Sequence, residues 1–316
     1  MKKIALLLLV AAAVVGCAKE NVERESNHEV QRIEEYMPGV AKESYVTTKG
    51  VPMEKLDSVY IFQGDILLSR EQAEELELPG LTETKGIVLN TDKYVWPDGI
   101  VYFSIGDEAN NVTVSSIRFT QLEKIYAAMN YYHRTTGVEF RHVTVANAGR
   151  NGKYIVERDY IQLIDGNGCW SALGRQGGKQ QLCLDPSWAT VGNAMHELGH
   201  AIGLLHEQGR PDRDQYINVH YDNIKPEKRS NFEVITVSSL RGPFMDFNSL
   251  MLYGSYNSFA IDESKPTMTK KDGSAWYAQR SYLSDEDLNL ISTKYPKSPC
   301  NIELKKDSGD TSYRRD

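Results

Sequence analysis

Three histidines, a glutamate and a glycine in the stretch HELGHAIGLLHEQGRPDRD, His196 to Asp214, carry the strongest chemical signal in this chain. On an α-helix, His196 and His200 stand one turn apart on one face, so both imidazoles can reach a single ion. Glu197 flanks the first histidine and can address a metal-bound water without being a ligand, as a general base must. Gly203 is the residue type that adopts the left-handed conformation ending many helices. A sharp turn there brings His206 back as a third ligand. Three neutral nitrogens with one open position describe a catalytic zinc site, since a structural site is closed by a fourth protein ligand. One Zn2+ per chain is therefore expected. The alternative class is a cell-surface binding or adhesion module that keeps zinc for stability alone, and such a module has no use for the base at Glu197.

This stretch resembles the metzincin metallopeptidases and, among them, the astacin family, whose motif continues after the third histidine with the pattern met here as Glu207, Arg210, Asp212, Arg213 and Asp214. The sequence SLMLY, Ser249 to Tyr253, is similar to the family's methionine turn. The resemblance implies that Met251 floors the metal site and that Tyr253 is a mobile zinc ligand assisting the transition state. It covers roughly residues 86 to 300, supported by DKYVWPDGIVYF and GCWSALGRQGGKQQL. It also implies an endopeptidase acting on protein or peptide substrates, and an α+β metzincin fold. That fold has a small twisted mixed sheet, a long helix, a zinc helix, and a cleft between upper and lower subdomains. Two positions depart from the family pattern: Leu252 stands where a histidine is usual, and Gly137 where a cysteine would pair with Cys300.

The tetrapeptide FQGD, Phe62 to Asp65, reads alone as a surface turn. Beside the zinc motif it resembles the Phe-x-Gly-Asp element of astacin precursors, which implies that Asp65 is the zymogen's metal ligand and that Gly64 lets the backbone approach the cleft. The same resemblance implies a mature N-terminus near Ile87, pairing with Glu207. Lys85-Gly86 offers an activating protease a trypsin-like cut.

The elements that must position these groups are partly legible. GIVYFSI alternates like a half-buried strand, and VEFRHV and YIVERDYIQLI read as further strands, the last an edge along which an extended peptide could lie. Ile117, Ile125, Met129 and Tyr132 recur at helical spacing ahead of Gly137. Strands mixed with helices in this order describe an α+β domain.

With 316 residues and 41% hydrophobic content, the chain can bury one sizeable core. Its formal charge of −7 is dispersed, without the clustered basic residues of a nucleic-acid surface. MKKIALLLLVAAAVVGC reads as a secretion signal, and VVGC resembles a bacterial lipobox that would lipidate Cys17 and anchor an exported protein to a membrane. The expected organisation is a signal over 1–17, a charged tether over 18–45, an inhibitory propeptide over 46–85, a catalytic domain over 86–300 and a disordered tail over 301–316. With Cys17 acylated, three cysteines remain, so one disulfide and one leftover thiol are expected in an oxidising compartment. The family resemblance implies a Cys169–Cys183 bridge, although Cys183 lies earlier than the usual partner of Cys169, and leaves Cys300 free.

Overall fold

The computed structural model describes residues 29–76, 92–106, 119–143, 159–234 and 243–296. Cys17, the Lys85-Gly86 bond, Ile117, Cys300 and the tail lie outside the described residues.

A mixed sheet forms the backbone of the molecule. Four strands come from the N-terminal segment: β1 (Glu43–Val46), β2 (Pro52–Leu56), β3 (Val59–Phe62) and β4 (Ile66–Leu68), followed by the short helix α1 (Arg70–Glu75). Five come from the following region: β5 (Ile100–Ile105), β6 (Glu139–His142), β7 (Tyr160–Asp165), β8 (Trp170–Ala172) and β9 (Lys179–Leu184). The order is β1-β2-β3-β4-β8-β9-β7-β5-β6. β1 to β4 form an antiparallel meander, and β4 joins the rest by parallel pairing, Ile66 opposite Ser171 and Leu67 opposite Ala172. The sheet is therefore larger than the small one expected, because the N-terminal segment extends it.

Helix α2 (Leu122–Thr135) turns Ile125, Ala128, Met129 and Tyr132 inward, against Val101, Phe103, Ile161 and Leu163 of the sheet. Helix α3 (Val191–Ala201) packs on α2, and the Tyr132 hydroxyl donates to the Met195 carbonyl at 2.8 Å. Thr190 and Asn193 form a reciprocal capping box at the start of α3. Every residue of α3 from Gly192 to Ala201 is buried, so both its faces are packed. A two-stranded sheet, β10 (Ile217–Val219) with β11 (Met268–Lys270), and helix α4 (Asp285–Lys294) complete the lower part.

Three expectations are corrected here. Residues 29–45 do not lie free as a tether: Ile33 enters the apolar cluster of Phe232, Tyr253 and Phe259, and Glu34 is fully buried. The edge strand is not β7, which pairs with β5 and β9 on its two sides; β8 is the strand to which the N-terminal segment adds. Cys169 and Cys183 are free, buried thiols. Trp170 is the residue opposite Cys183, so the preceding Cys169 points to the other face of the sheet and joins the core of Leu182 and Leu184. The Cys183 thiol instead donates to the Gly168 carbonyl at 3.4 Å. Burial pushes both thiols well above the ordinary thiol range.

Candidate active site

The end of α3 builds the site. Gly203, at φ 103°, lets its N–H donate to the His200 carbonyl at 2.8 Å and the Leu204 N–H to the Gly199 carbonyl at 2.9 Å. These reversed bonds close the helix and return the chain, which carries His206 back toward α3. Nε2 of His196 then lies 3.1 Å from that of His200 and 3.2 Å from that of His206, with all three rings fully buried.

The outer ring nitrogens fix the tautomers. His196 Nδ1 faces the Leu250 carbonyl at 3.1 Å, His200 Nδ1 the Leu204 carbonyl at 2.8 Å, and His206 Nδ1 the Gln63 side-chain oxygen at 3.2 Å. Carbonyl oxygens only accept, so each Nδ1 carries the proton and each Nε2 offers a lone pair. Burial favours the neutral form of two of these rings: it lowers His196 and pushes His206 down to about 4. Three lone pairs crowded this closely repel one another unless a cation lies among them. Asp65 Oδ2 meets the same point, 3.3, 3.7 and 3.4 Å from Nε2 of His196, His200 and His206. Three oriented imidazoles and a carboxylate oxygen fit Zn2+, whose histidine ligands characteristically donate their other N–H to an oxygen.

Glu197 is fully buried beside this cluster, and neither of its carboxyl oxygens has a hydrogen-bond partner among the described residues. Burial, reinforced by the charge of Asp65, pushes its carboxyl well above the usual range. Such a group holds a proton readily, and its orphaned oxygens leave room in its hydrogen bonding for water or substrate.

The FQGD element fills the space in front of the histidines. Gln63 and Gly64 take consecutive positive φ values, 48° and 94°, which reverses the chain and aims Asp65 inward. Gln63 was not singled out from the sequence, yet it makes three contacts here. Its side chain accepts from His206 and donates to the Glu233 carbonyl at 3.3 Å, and its main-chain carbonyl accepts the Tyr253 hydroxyl at 2.6 Å. Gly209 admits it, since a Cβ there would stand 2.5 Å from Gln63 Nε2. Tyr253 is fully buried with its ring 4.6 Å from that of His206, so its phenol rests on the N-terminal segment rather than on the histidine cluster. Directly after Asp65, the chain enters the sheet: the Asp65 carbonyl accepts Ser171 N–H at 3.0 Å.

Beneath the histidines, Met251 packs so closely on α3 that a Cβ at Gly199 would lie 2.8 Å from its sulfur. Asp287 of α4 fastens this turn, accepting Leu250 N–H at 2.9 Å and the Ser249 hydroxyl at 2.7 Å. That is how α4 positions the Leu250 carbonyl beneath His196. Leu252 sits in an apolar cluster with Met245 and Trp276.

Glu207 is buried against the same turn. In this uncut chain it holds Arg210 at 3.0 Å and the Asp246 N–H at 2.9 Å, and the expected terminus near Ile87 lies outside the described residues. Burial still pushes its carboxyl up to about 8, with Arg210 only partly offsetting it. Arg210 in turn clasps Asp212, and Arg213 donates to the Gln208 carbonyl and to Asp214, so the charged tail of the motif braces the loop behind His206.

Sequence and structure comparisons agree with this geometry. A family model described as Astacin (Peptidase family M12A) matches residues 88–296. Protein SpAN of Strongylocentrotus purpuratus is 30% identical over 307 residues, 93% of this chain and 47% of that protein. Zinc metalloproteinase nas-4 of Caenorhabditis elegans is 33% identical over 238 residues, 74% of this chain and 68% of that protein. The chain spans less than half the length of relatives such as SpAN and nas-36 of Caenorhabditis briggsae. Among solved structures, high choriolytic enzyme 1, a hatching enzyme zinc-protease from Oryzias latipes, is similar at 29% identity and a TM-score of 0.52, over 64% of this chain and 92% of that one. With the family model covering well over half of its length and the histidine cluster within the matched span, this chain belongs to the astacin family, peptidase family M12A.

Proposed function

We propose that this chain is a zinc-dependent endopeptidase of exported proteins, made as a precursor whose N-terminal segment closes the active site with Asp65. The observation that carries the reading is the meeting of three Nε2 lone pairs and Asp65 Oδ2 at one buried point beside the unpartnered Glu197 carboxyl. When bound by His196, His200 and His206, zinc supplies Lewis acidity toward water and the scissile carbonyl. Glu197 takes the proton of the attacking water and returns it to the leaving amine, a role suited to a carboxyl whose burial raises its proton affinity. Tyr253, once free of the Gln63 carbonyl, donates its phenol O–H to the oxygen that gains negative charge. The β8 edge that β4 now occupies becomes available to an extended substrate by strand addition.

In this reading a lipid on Cys17 holds the precursor at a membrane. An activating protease cuts near Gly86, and the catalytic part, which carries no lipid, can leave. Glu207, buried with an elevated carboxyl pKa, then gains the new ammonium as a second cationic partner beside Arg210. Incubating the cut catalytic part, freed of the N-terminal segment, with a denatured protein, with and without chelator, tests the proposal. Cleavage that chelator abolishes and added zinc restores is expected; a zinc-loaded catalytic part, freed of the N-terminal segment, that cleaves nothing contradicts it.

A further inference from the structure

Arg280 is a charged side chain that the catalytic reading does not use. Its Nη1 donates to the main-chain oxygens of Leu250, Leu252 and Gln279 at 2.8, 3.1 and 3.0 Å. These are neutral acceptors. Its charge is met by Glu34, which takes Nε on Oε1 at 3.0 Å and Nη2 on Oε2 at 3.2 Å in a two-pronged pair. Asn193 of α3 donates to the same carboxylate at 2.8 Å. Glu34 is fully buried, and Gly192 makes the approach to α3 possible, since a Cβ there would stand 2.1 Å from the Arg280 carbonyl oxygen.

Glu34 is fixed on both flanks. Gln31 exchanges main-chain bonds with Tyr256 and Ser258 at 2.9 Å each, and Ile33 N–H donates to the Ser258 hydroxyl at 3.1 Å. Tyr36 N–H donates to the Gly64 carbonyl at 2.7 Å, which ties this stretch to the loop presenting Asp65. Two carboxylates of one segment thus enter the molecule side by side, one on the histidines and the other on Arg280.

We propose that Glu34 is a second anchor of the N-terminal segment, which keeps residues 29–76 seated on the catalytic part after the chain between them is cut. The inference rests on the inhibitory reading of that segment and deepens it. A cut within 77–91 breaks neither carboxylate contact nor the β4–β8 pairing. Departure of the segment strips Arg280 of its carboxylate and Asn193 of its acceptor. Removing one partner of a buried, hydrogen-bonded charge pair is far more costly than removing a surface one, and the effect falls on the rate of dissociation. Cutting and opening become separate events.

The test uses the full chain, zinc-loaded, with a specific protease site placed between residues 77 and 91. After complete cutting, retention of the N-terminal piece is followed over time by gel filtration. Wild-type pieces are expected to stay together, and Glu34→Gln to release its piece about 10²-fold faster. Glu43→Gln, which removes an exposed charge on β1, should release at the wild-type rate. If Glu34→Gln does not fold, Glu34→Asp keeps the charge but shortens the reach, and it should also release faster than wild type. A Glu34 variant that folds and releases at the wild-type rate overturns the proposal, as does a wild-type piece that leaves on cutting. Retention is read by size, not activity. An uncut chain that already hydrolyses substrate would therefore refute the inhibitory reading while leaving the Glu34 result to stand or fall separately.

Discussion

Two buried charge clusters meet at the Leu250 carbonyl, which accepts from His196 on one side and Arg280 on the other. The histidine cluster consists of neutral bases pointing their lone pairs at one another, so it is incomplete without a cation from outside the chain. The Arg280 cluster is complete as folded, because Glu34 brings the opposite charge. In the proposed reading, departure of the N-terminal segment affects them in opposite ways. It opens a coordination position at the first by withdrawing Asp65, and it removes the neutralising partner from the second. In that reading one cluster gains a function on opening, while the other resists opening.

The sharpest way to break this comparison is at Glu197, which serves only the first cluster. Glu197→Gln should lower turnover of the freed catalytic part by about 10²–10⁴, the usual range for a lost general base. Zinc content should stay near one per chain by metal analysis. Retention of most of the activity would remove Glu197 from the mechanism.

Tyr253 comes next. Its phenol is bonded to Gln63 in the closed form, so Tyr253→Phe should act twice: turnover falls by about 10²–10³ once the segment has left, and the closed form loses one hydrogen bond, worth about 1 kcal/mol. Steady-state kinetics and thermal melting read the two effects separately. Unchanged turnover would confine Tyr253 to the closed form.

Asp65→Ala sharpens the contrast between the clusters. Gln63 and Glu34 still hold the segment, so the uncut variant should hydrolyse substrate measurably but well below the wild-type catalytic part freed of its segment. Binding of a hydroxamate ligand should rise with it. A variant as silent as wild type with no gain in hydroxamate binding would show that Asp65 does not close the site.

Acid should affect the second cluster in a defined window. Burial opposes ionisation of Glu34, yet Arg280 outweighs it and holds the carboxyl at about 2 against an ordinary 4.5. A depressed carboxyl pKa contributes stability that is full above the unfolded value and lost as pH falls through the folded one. Between pH 4.5 and about 2, the melting temperature of uncut wild type should therefore fall more steeply than that of Glu34→Gln. Parallel curves would mean that the pair is not worth more folded than unfolded.

The histidine cluster could be read from the chain because its geometry is local. Helical periodicity places His196 and His200, and one glycine turns the chain toward His206. The strands around Val101 and Phe140 and the inward face of α2 were legible for the same reason. Contacts set by tertiary pairing were not. Nothing in the spacing links Glu34 to Arg280 or Gln63 to Tyr253, because these pairs meet only when the N-terminal segment packs on the rest of the chain. Residues 29–45 read as a solvated tether since their composition is charged, and the burial of Ile33 and Glu34 depends on partners far along the chain. The cysteines failed through register: one residue of offset across β8 and β9 turns Cys169 and Cys183 to opposite faces.

The account's central claim is that a zinc site competent for hydrolysis is held shut by the N-terminal segment. Its most direct measurement follows zinc content and hydrolysis of a denatured protein together in the intact chain, in the cut chain with its segment retained, and in the catalytic part freed of the segment. The account predicts near one zinc per chain throughout, with hydrolysis arising as the segment leaves and vanishing with chelator. An intact chain as active as the freed domain, or a freed, zinc-loaded domain that hydrolyses nothing, would contradict it.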